Sequence, residues 1–470
     1  MSVSLRVDHE WDGVPMPQRL FAIMAVAFAV SLGVIDGVIA NIALPTISAN
    51  LDISPSDSIW IVNAYQISVV VTLLMFSTLG DHLGYKPLFL SGITLFMITS
   101  FGCAMSWNLG SLIFFRAIQG VGASAVMSVN TSIVRLIYPR RMLGRGLGIN
   151  STVVSVSAVM GPSLASAILS LGDWRWIFFV NIPFGIIAIF LGWRYIPRNP
   201  QLLAGSLFKW SDGVMNLLSF GLLFAVVTSI SHGVDMKIVA LLAVVFVVVG
   251  YLFVRLQLRR SSPIIPFDLL KIPIFTLSML TSILSFVAQM STMVALPFFL
   301  QGQLGYSVVE TGLLMSSWAA TNIITAPLSG VLCEHFHAGV LGGVGLIILT
   351  IGLLLLGSVG DGVATWDIVW RLAICGVGFG LFQPPNNSVL IGSAPISRSG
   401  SASGMMASAR LMGQTIGTSL VALCFYILSS SEANYIIYVS AIFSAVAMVI
   451  SFSRLSLPLP EVLREKRGKI

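Results

Sequence analysis

The chain has 470 residues, of which 56% are hydrophobic and 9% charged, with a formal net charge of +7 and a mean hydropathy of +0.95. Soluble domains carry about a quarter charged residues, so the composition does not fit a soluble enzyme, a nucleic-acid binder or a disordered chain. At about 20 residues per crossing it fits an integral, many-spanning helical membrane protein, in which basic residues report orientation rather than nucleic acid.

In chain order, the first 17 residues hold Asp8, Glu10 and Asp12 and no apolar run. No secretory signal peptide is expected there, and the first span is expected to be retained. Apolar runs, set apart by turn or charge signals, follow at 20–43, 59–79, 88–106, 111–134, 147–170, 177–196, 213–231, 237–256, 275–300, 311–332, 338–358, 366–390, 403–428 and 434–453. Backbone amides cannot stay unpaired in hydrocarbon, so each run is predicted to be a helix. The expected architecture is an all-α membrane protein of 14 transmembrane helices. A tail over 1–19 leads into a six-helix bundle over 20–196. A linker with two inserted helices (197–274), a second six-helix bundle (275–453) and a basic tail (454–470) follow.

The basic residues test this alternation. Of the 25 Lys and Arg, 20 fall in tails and loops on the side of the termini, three (Arg175, Lys237 and Arg371) fall on the other side, and Arg116 and Arg410 fall inside spans. That asymmetry predicts cytoplasmic termini in an inner membrane. A repeat is also visible. Residues 77–84 (STLGDHLG) and 330–337 (GVLCEHFH) share small-x-Leu-x-acid-His, and Gly120-Val121-Gly122 matches Gly376-Val377-Gly378. Spans 2 and 4 thus correspond to 10 and 12, an offset of eight. Parallel repeats of this kind build transporters that rock one half against the other.

Intramembrane charge is the sharpest chemical signal, because a charge at bilayer depth is costly unless paired or hydrated. Asp36 is the only acid deep in a span, placed about two-thirds of the way across the first. It reads either as a structural carboxylate satisfied by Asn41 or an arginine, or as a proton or cation site, since burial disfavours the charged form of a carboxylate. Arg116 is its natural counter-charge; an arginine tunes a neighbour or holds an anion but does not release its proton. Arg410 is expected to snorkel to the interface, and Glu310 to be a solvated rim residue. Gly161-Pro162 marks a kink or a close helix contact in span 5. The turn Asp81-His82-Leu83-Gly84-Tyr85-Lys86 is either a solvated turn or a latch. Trp60, Tyr65, Trp318, Trp366, Met290, Met293 and Met315 read as packing or belt residues before cavity lining. The cysteines (Cys103, Cys333, Cys375 and Cys424) read as small packing residues. No Walker loop, zincin pair or nucleophile elbow is present, so neither an enzyme, a cofactor nor a metal site is expected.

These residues carry a resemblance over essentially the whole chain. It resembles the major facilitator superfamily, and within it the fourteen-helix branch of drug:proton antiporters. Ile35 to Pro45 (IDGVIANIALP) is similar to that branch's L-D-x-T-x-x-N-x-A-L-P signature, placing Asp36, Asn41 and Pro45 on motif positions. The turn at Asp81, Gly84 and Lys86 resembles G-x-L-x-D-R-x-G-R-K, with Ser77, His82 and Tyr85 departing from it. Arg116 to Gly122 resembles a helix 4 motif linked to proton transfer, and Gly161-Pro162 the helix 5 antiporter motif, although Ser157, Ala165 and Ser166 stand where that motif has other small residues. Trp174 to Gly185 is similar to a stretch typical of the branch. The resemblance implies a monomeric proton-coupled antiporter in the bilayer, exporting amphiphilic compounds, with Asp36, Arg116 and Asn41 coupling proton and substrate. It implies a cytoplasmic gate at Asp81, His82, Gly84 and Lys86, and the proton gradient in place of a cofactor. The alternatives are a transporter of one metabolite, possibly anionic, held by Arg116 or Arg410, and a membrane sensor that does not transport.

Overall fold

The computed structural model describes residues 13–139, 142–198, 210–231, 234–258, 268–360, 362–394, 399–427 and 433–456. Most of both predicted tails and part of the 197–274 linker lie outside the described residues. Among those described, fourteen long helices follow one another: α1 (Gln18–Leu51), α2 (Trp60–Leu83), α3 (Tyr85–Ala104), α4 (Leu109–Ile137), α5 (Leu143–Leu171), α6 (Asn181–Tyr195), α7 (Trp210–Ser231), α8 (Met236–Leu258), α9 (Pro273–Phe298), α10 (Val308–His335), α11 (Ala338–Gly357), α12 (Thr365–Gly392), α13 (Ser399–Ile427) and α14 (Ala433–Ser453). Eleven stretches among them are long and apolar enough to cross a membrane; α7, α10 and α13 lie outside that set. α10 and α13 carry Asn322 and Arg410 with Gln414, together with small polar side chains that bond their own helix. Ser316, Thr321 and Thr325 donate to the carbonyls of Gly312, Ser317 and Thr321, and Thr415 to that of Leu411. Such hydroxyls lower hydropathy without leaving a polar group unpaired.

Local sequence sets the helix ends. Asn108 and Ser111 form a capping box at the start of α4, and Ser307 and Glu310 form another at the start of α10. Glu310 is exposed, as expected of a rim residue, and also caps the helix, accepting from Ser307 N at 2.8 Å. Between α2 and α3 the chain turns on Gly84, whose φ of 96° favours glycine.

Helix packing carries the repeat. In the first bundle α4 packs on α2 and α3, α1 on α5 and α6, and α3 on α6; in the second, α12 packs on α10 and α11, α9 on α13 and α14, and α11 on α14. Each pair recurs with an offset of eight. The two Gly-Val-Gly matches explain the register. A Cβ on Gly120 would meet the carbonyl of Tyr65 in α2, and one on Gly376 that of Trp318 in α10. A Cβ on Gly122 would lie 2.8 Å from Gly92 O in α3, and one on Gly378 2.7 Å from Gly345 O in α11. In each half one glycine admits the helix two back and the next admits the preceding helix. Without a hydrophobic drive between helices in lipid, such backbone approach is what holds them.

The bundles meet along α5–α10 and α2–α13, with α7 laid against both α2 and α13. At the end of the molecule far from the termini they share one hydrophobic core, running from Ile39–Ile47 of α1 through Val294–Leu300 to Met315 and Trp318 of α10. There Ser163 and Ser316 hydroxyls lie 2.9 Å apart, and Ser166 Oγ donates to Val308 O at 3.0 Å. At the end carrying the termini the cores separate, one around Phe89, Val129 and Ile133 and another around Phe275, Leu390 and Met405. The bundles thus share one core at one end and keep separate clusters at the other, and between these Val69, Val70, Val71 and Leu73 of α2 pack with Leu411 of α13. Arg454, read from sequence as the first residue of the basic tail, is instead buried. It donates to Ser278 Oγ at 2.9 Å and Asn386 Oδ1 at 2.6 Å, tying the end of α14 to α9 and α12.

Gly120→Ala and Gly376→Ala are each expected to destabilise the protein by about 1–3 kcal/mol through overpacking. Gly404→Ala, whose Cβ would meet nothing within 4 Å, should leave thermal melts of the purified protein unchanged.

Candidate functional site

Because α1 extends to Leu51, Asp36 sits just past its midpoint rather than two-thirds of the way along. It is 3% exposed. Its Oδ2 accepts from Arg116 Nη1 of α4 at 2.5 Å. Its Oδ1 accepts from Asn181 Nδ2, the first residue of α6, at 2.9 Å, and from Gln119 Nε2 of α4 at 3.2 Å. Gln119 and Asn181 also both donate to Ser100 Oγ of α3, at 2.7 and 3.3 Å. Residues three apart share a helix face, which brings Arg116 and Gln119 to the same carboxylate.

The guanidinium is fixed equally closely. Arg116, fully buried, donates from Nε to Ile61 O at 3.0 Å and from Nη1 to Gln119 Oε1 at 2.6 Å. Its Nη2 makes no hydrogen bond among the described residues. Aromatic rings flank the group instead, with Cζ 4.4 Å from the centroid of Tyr65 and 5.6 Å from that of Phe178, a placement that stabilises a desolvated cation. Five helices of the first bundle thus converge on a carboxylate and a cation that sum to no net charge.

The other sequence-predicted residues fall differently. Asn41 does not reach Asp36. Its Nδ2 donates to Gly37 O at 3.2 Å and its Oδ1 is buried without a partner among the described residues, because a residue five further along a helix points to another face. His82 and Gly84 lie at the α2 end and the turn after it; the side chain of Asp81, like that of its repeat counterpart Glu334, lies outside the described residues. Lys86 points to α6, donating to Trp193 O and Ile196 O, both at 2.7 Å. Gly161 is a close contact, since a Cβ there would lie 2.8 Å from Val38 Cγ1 of α1, and the carbonyl of Pro162 faces Gly312 of α10 at the end with the shared core. Arg410 is half-buried, with Nε shielded and without a hydrogen bond among the described residues. Met290, Met315 and Trp318 belong to the shared core, and Trp366 is exposed. Sequence reasoning missed Gln119 and Asn181 as partners of the pair and Ser100 as the acceptor behind them, though Gln119 and Asn181 carried a signal as amides inside the stretches 116–122 and 174–185.

Two six-helix bundles in one connection pattern, with a buried ion pair in the first, define a multi-pass membrane transport fold. The sequence profile of the Major Facilitator Superfamily matches residues 21–418 and, a second time, residues 279–469; the chain belongs to that superfamily and is a membrane transporter. It is 47% identical over 447 residues to the uncharacterized transporter YebQ of Escherichia coli (strain K12), covering 95% of this chain and 98% of that one. It is 28% identical to the riboflavin transporter RibZ of Clostridioides difficile (strain 630), covering 93% and 98% of the two chains. It is also 28% identical to the multidrug resistance protein Stp of Mycobacterium tuberculosis (strain CDC 1551 / Oshkosh), covering 85% and 74%. Among solved structures, a bacterial homolog of the human lysosomal transporter Spinster, inward-facing and unoccupied, aligns with a TM-score of 0.67 over 97% of this chain and 99% of that one at 15% identity.

Removing one member of a buried pair strands the other, at about 3–5 kcal/mol. Arg116→Met alone is therefore expected to destabilise the purified protein more than the double replacement Asp36→Leu/Arg116→Met, as read by thermal melts across the double-mutant cycle.

Proposed function

We propose that the protein is a proton-coupled antiporter that exports amphiphilic compounds by alternating access, in the fourteen-span drug:proton branch of its superfamily. In this reading the bundles over 20–196 and 275–453 rock about a central cavity. The membrane is a bacterial inner membrane, both termini are cytoplasmic, the end with separate clusters faces the cytoplasm, and the transporter works as a monomer driven by the proton gradient. The Lys and Arg asymmetry supports that orientation, and relatives whose names describe multidrug resistance or export support the substrate class.

The observation that carries the reading is the Asp36–Arg116 pair. With Asp36 ionised, its oxygens accept from three helix-borne side chains and the site is neutral. A proton on Asp36 removes the ionic half of the contact and leaves Arg116 a cation, since arginine does not deprotonate. Gln119 Oε1, Ile61 O and the Tyr65 ring then hold it. The change of one unit of charge in a low-dielectric site gives the two conformations different energies, which any coupled switch requires. Arg116 sets the poise of the carboxylate without moving, Asn41 presents its free carbonyl oxygen to substrate, and the turn at Asp81, His82, Gly84 and Lys86 gates the cytoplasmic end.

A second reading, a transporter of one anionic metabolite, is favoured by Arg410. No carboxylate pairs with this cation among the described residues, and its Nε is unsatisfied, so an anion would complete it.

Asp36→Asn is expected to reduce proton-driven transport in energised inverted vesicles to the level of the de-energised control; transport at normal rates would overturn the coupling assignment. Arg410→Gln should leave transport of cationic dyes intact, and a selective loss of anionic substrates in a panel assay would favour the second reading.

A further inference from the structure

Lys86 marks a second cluster of cations, away from the Asp36 pair. Its ammonium has three donors, of which two are taken by Trp193 O and Ile196 O at the end of α6. The third is left at a cavity of about 570 Å³ lined by Lys86, Pro87, Leu90, Trp193, Arg194 and Arg198. Among the described residues the lining holds three cations and no acid. Among the described residues no carboxylate pairs with either arginine, and Arg194 lies 5.6 Å over the ring of Tyr195.

The surroundings are as informative as the charges. The cavity opens on the outer face of α3 and α6, at the end of the molecule that carries the termini. Pro87 and Leu90 give it an apolar floor. Trp193 is 65% exposed beside it, and Phe190 and Ile186, at 60% and 55%, continue an apolar strip along α6. An exposed indole at a helix end marks the level of the membrane interface, and basic pockets between helices at that level suit lipid headgroups. A free phosphate would use the cations but not the floor, the indole or the strip.

We propose that this groove binds the phosphate headgroup of an anionic phospholipid in the leaflet at the end bearing the termini. Phosphate oxygens accept from Arg194, Arg198 and the remaining N–H of Lys86, while an acyl chain lies along Trp193 and Phe190. The bound lipid neutralises like charges that otherwise repel one another and joins the start of α3 to the end of α6. The site belongs to one bundle and is read by binding alone, so its test is independent of the transport reading.

The test is native mass spectrometry of the purified full-length protein with dioleoylphosphatidylglycerol, with dioleoylphosphatidylcholine as the zwitterionic comparison. Phosphatidylglycerol is expected to bind in preference, and Arg194→Gln/Arg198→Gln, at two exposed positions, to weaken it about thirty-fold. A large excess of inorganic phosphate should leave the lipid bound. Brominated-chain phosphatidylglycerol should quench the fluorescence of the wild type more than that of Trp193→Phe. Equal binding of the two lipids, undiminished binding to the double variant, displacement by phosphate alone, or quenching that does not depend on Trp193 would each overturn the proposal.

Discussion

A carboxylate and a guanidinium held where there is no water constrain the whole first bundle. Each charge taken out of water must be repaid by contacts in fixed geometry, and here those contacts come from five helices. The helices must therefore lie close. Gly120, one turn beyond Arg116 in α4, admits the backbone of α2 at Tyr65. That approach lets Ile61 O accept from Arg116 Nε and sets the Tyr65 ring against the guanidinium. A larger residue at 120 would push α2 away and leave the cation without its carbonyl and its ring. The small residue and the charge are one device.

The second bundle shows what the same scaffold does without that device. Aligning Gly376 with Gly120 puts Leu372 opposite Arg116 and Cys375 opposite Gln119, and both are fully buried. Where the first bundle places its ion pair and amide, the second has at those two positions side chains that need no partner. Well-packed apolar replacements of a buried ion pair are commonly neutral or stabilising, so the two interiors are physically equivalent solutions to packing and unequal in chemistry.

The contact between bundles is also unequal along its length. The end with the shared core relies on small residues at a close crossing, Gly312 against Pro162 and Ser166, with serine hydroxyls bridging α5 and α10. Toward the termini the interiors part into separate cores. α7 lies along the α2–α13 seam, and Asn216 Nδ2 of α7 donates to Val71 O of α2 at 2.7 Å. One helix from between the bundles thus rests on both of them.

Much of this was legible in the residues. Hydrophobic runs gave fourteen long helices in order, because an unpaired backbone in hydrocarbon leaves the chain no other choice. Repeated Gly-Val-Gly gave the offset of eight, since a missing side chain at a crossing is a mark of geometry that sequence preserves. Asp36 and Arg116 stood out because charge in an apolar run is costly. What stayed hidden was whatever depends on direction and neighbours. Asn41 is five residues from Asp36 yet faces elsewhere, while Asn181, Gln119 and Ser100 arrive from other helices or another turn. Arg454 proved a buried anchor, although its letter alone reads as surface charge, and exposed Glu310 took on a capping bond as well. The sequence by itself determined which segments enter the membrane and where charge is buried with them, for those follow from solvation along the chain. Only the tertiary structure decided which polar groups satisfy that charge, because a hydrogen bond reaches about 3 Å and only folding brings distant segments within that distance.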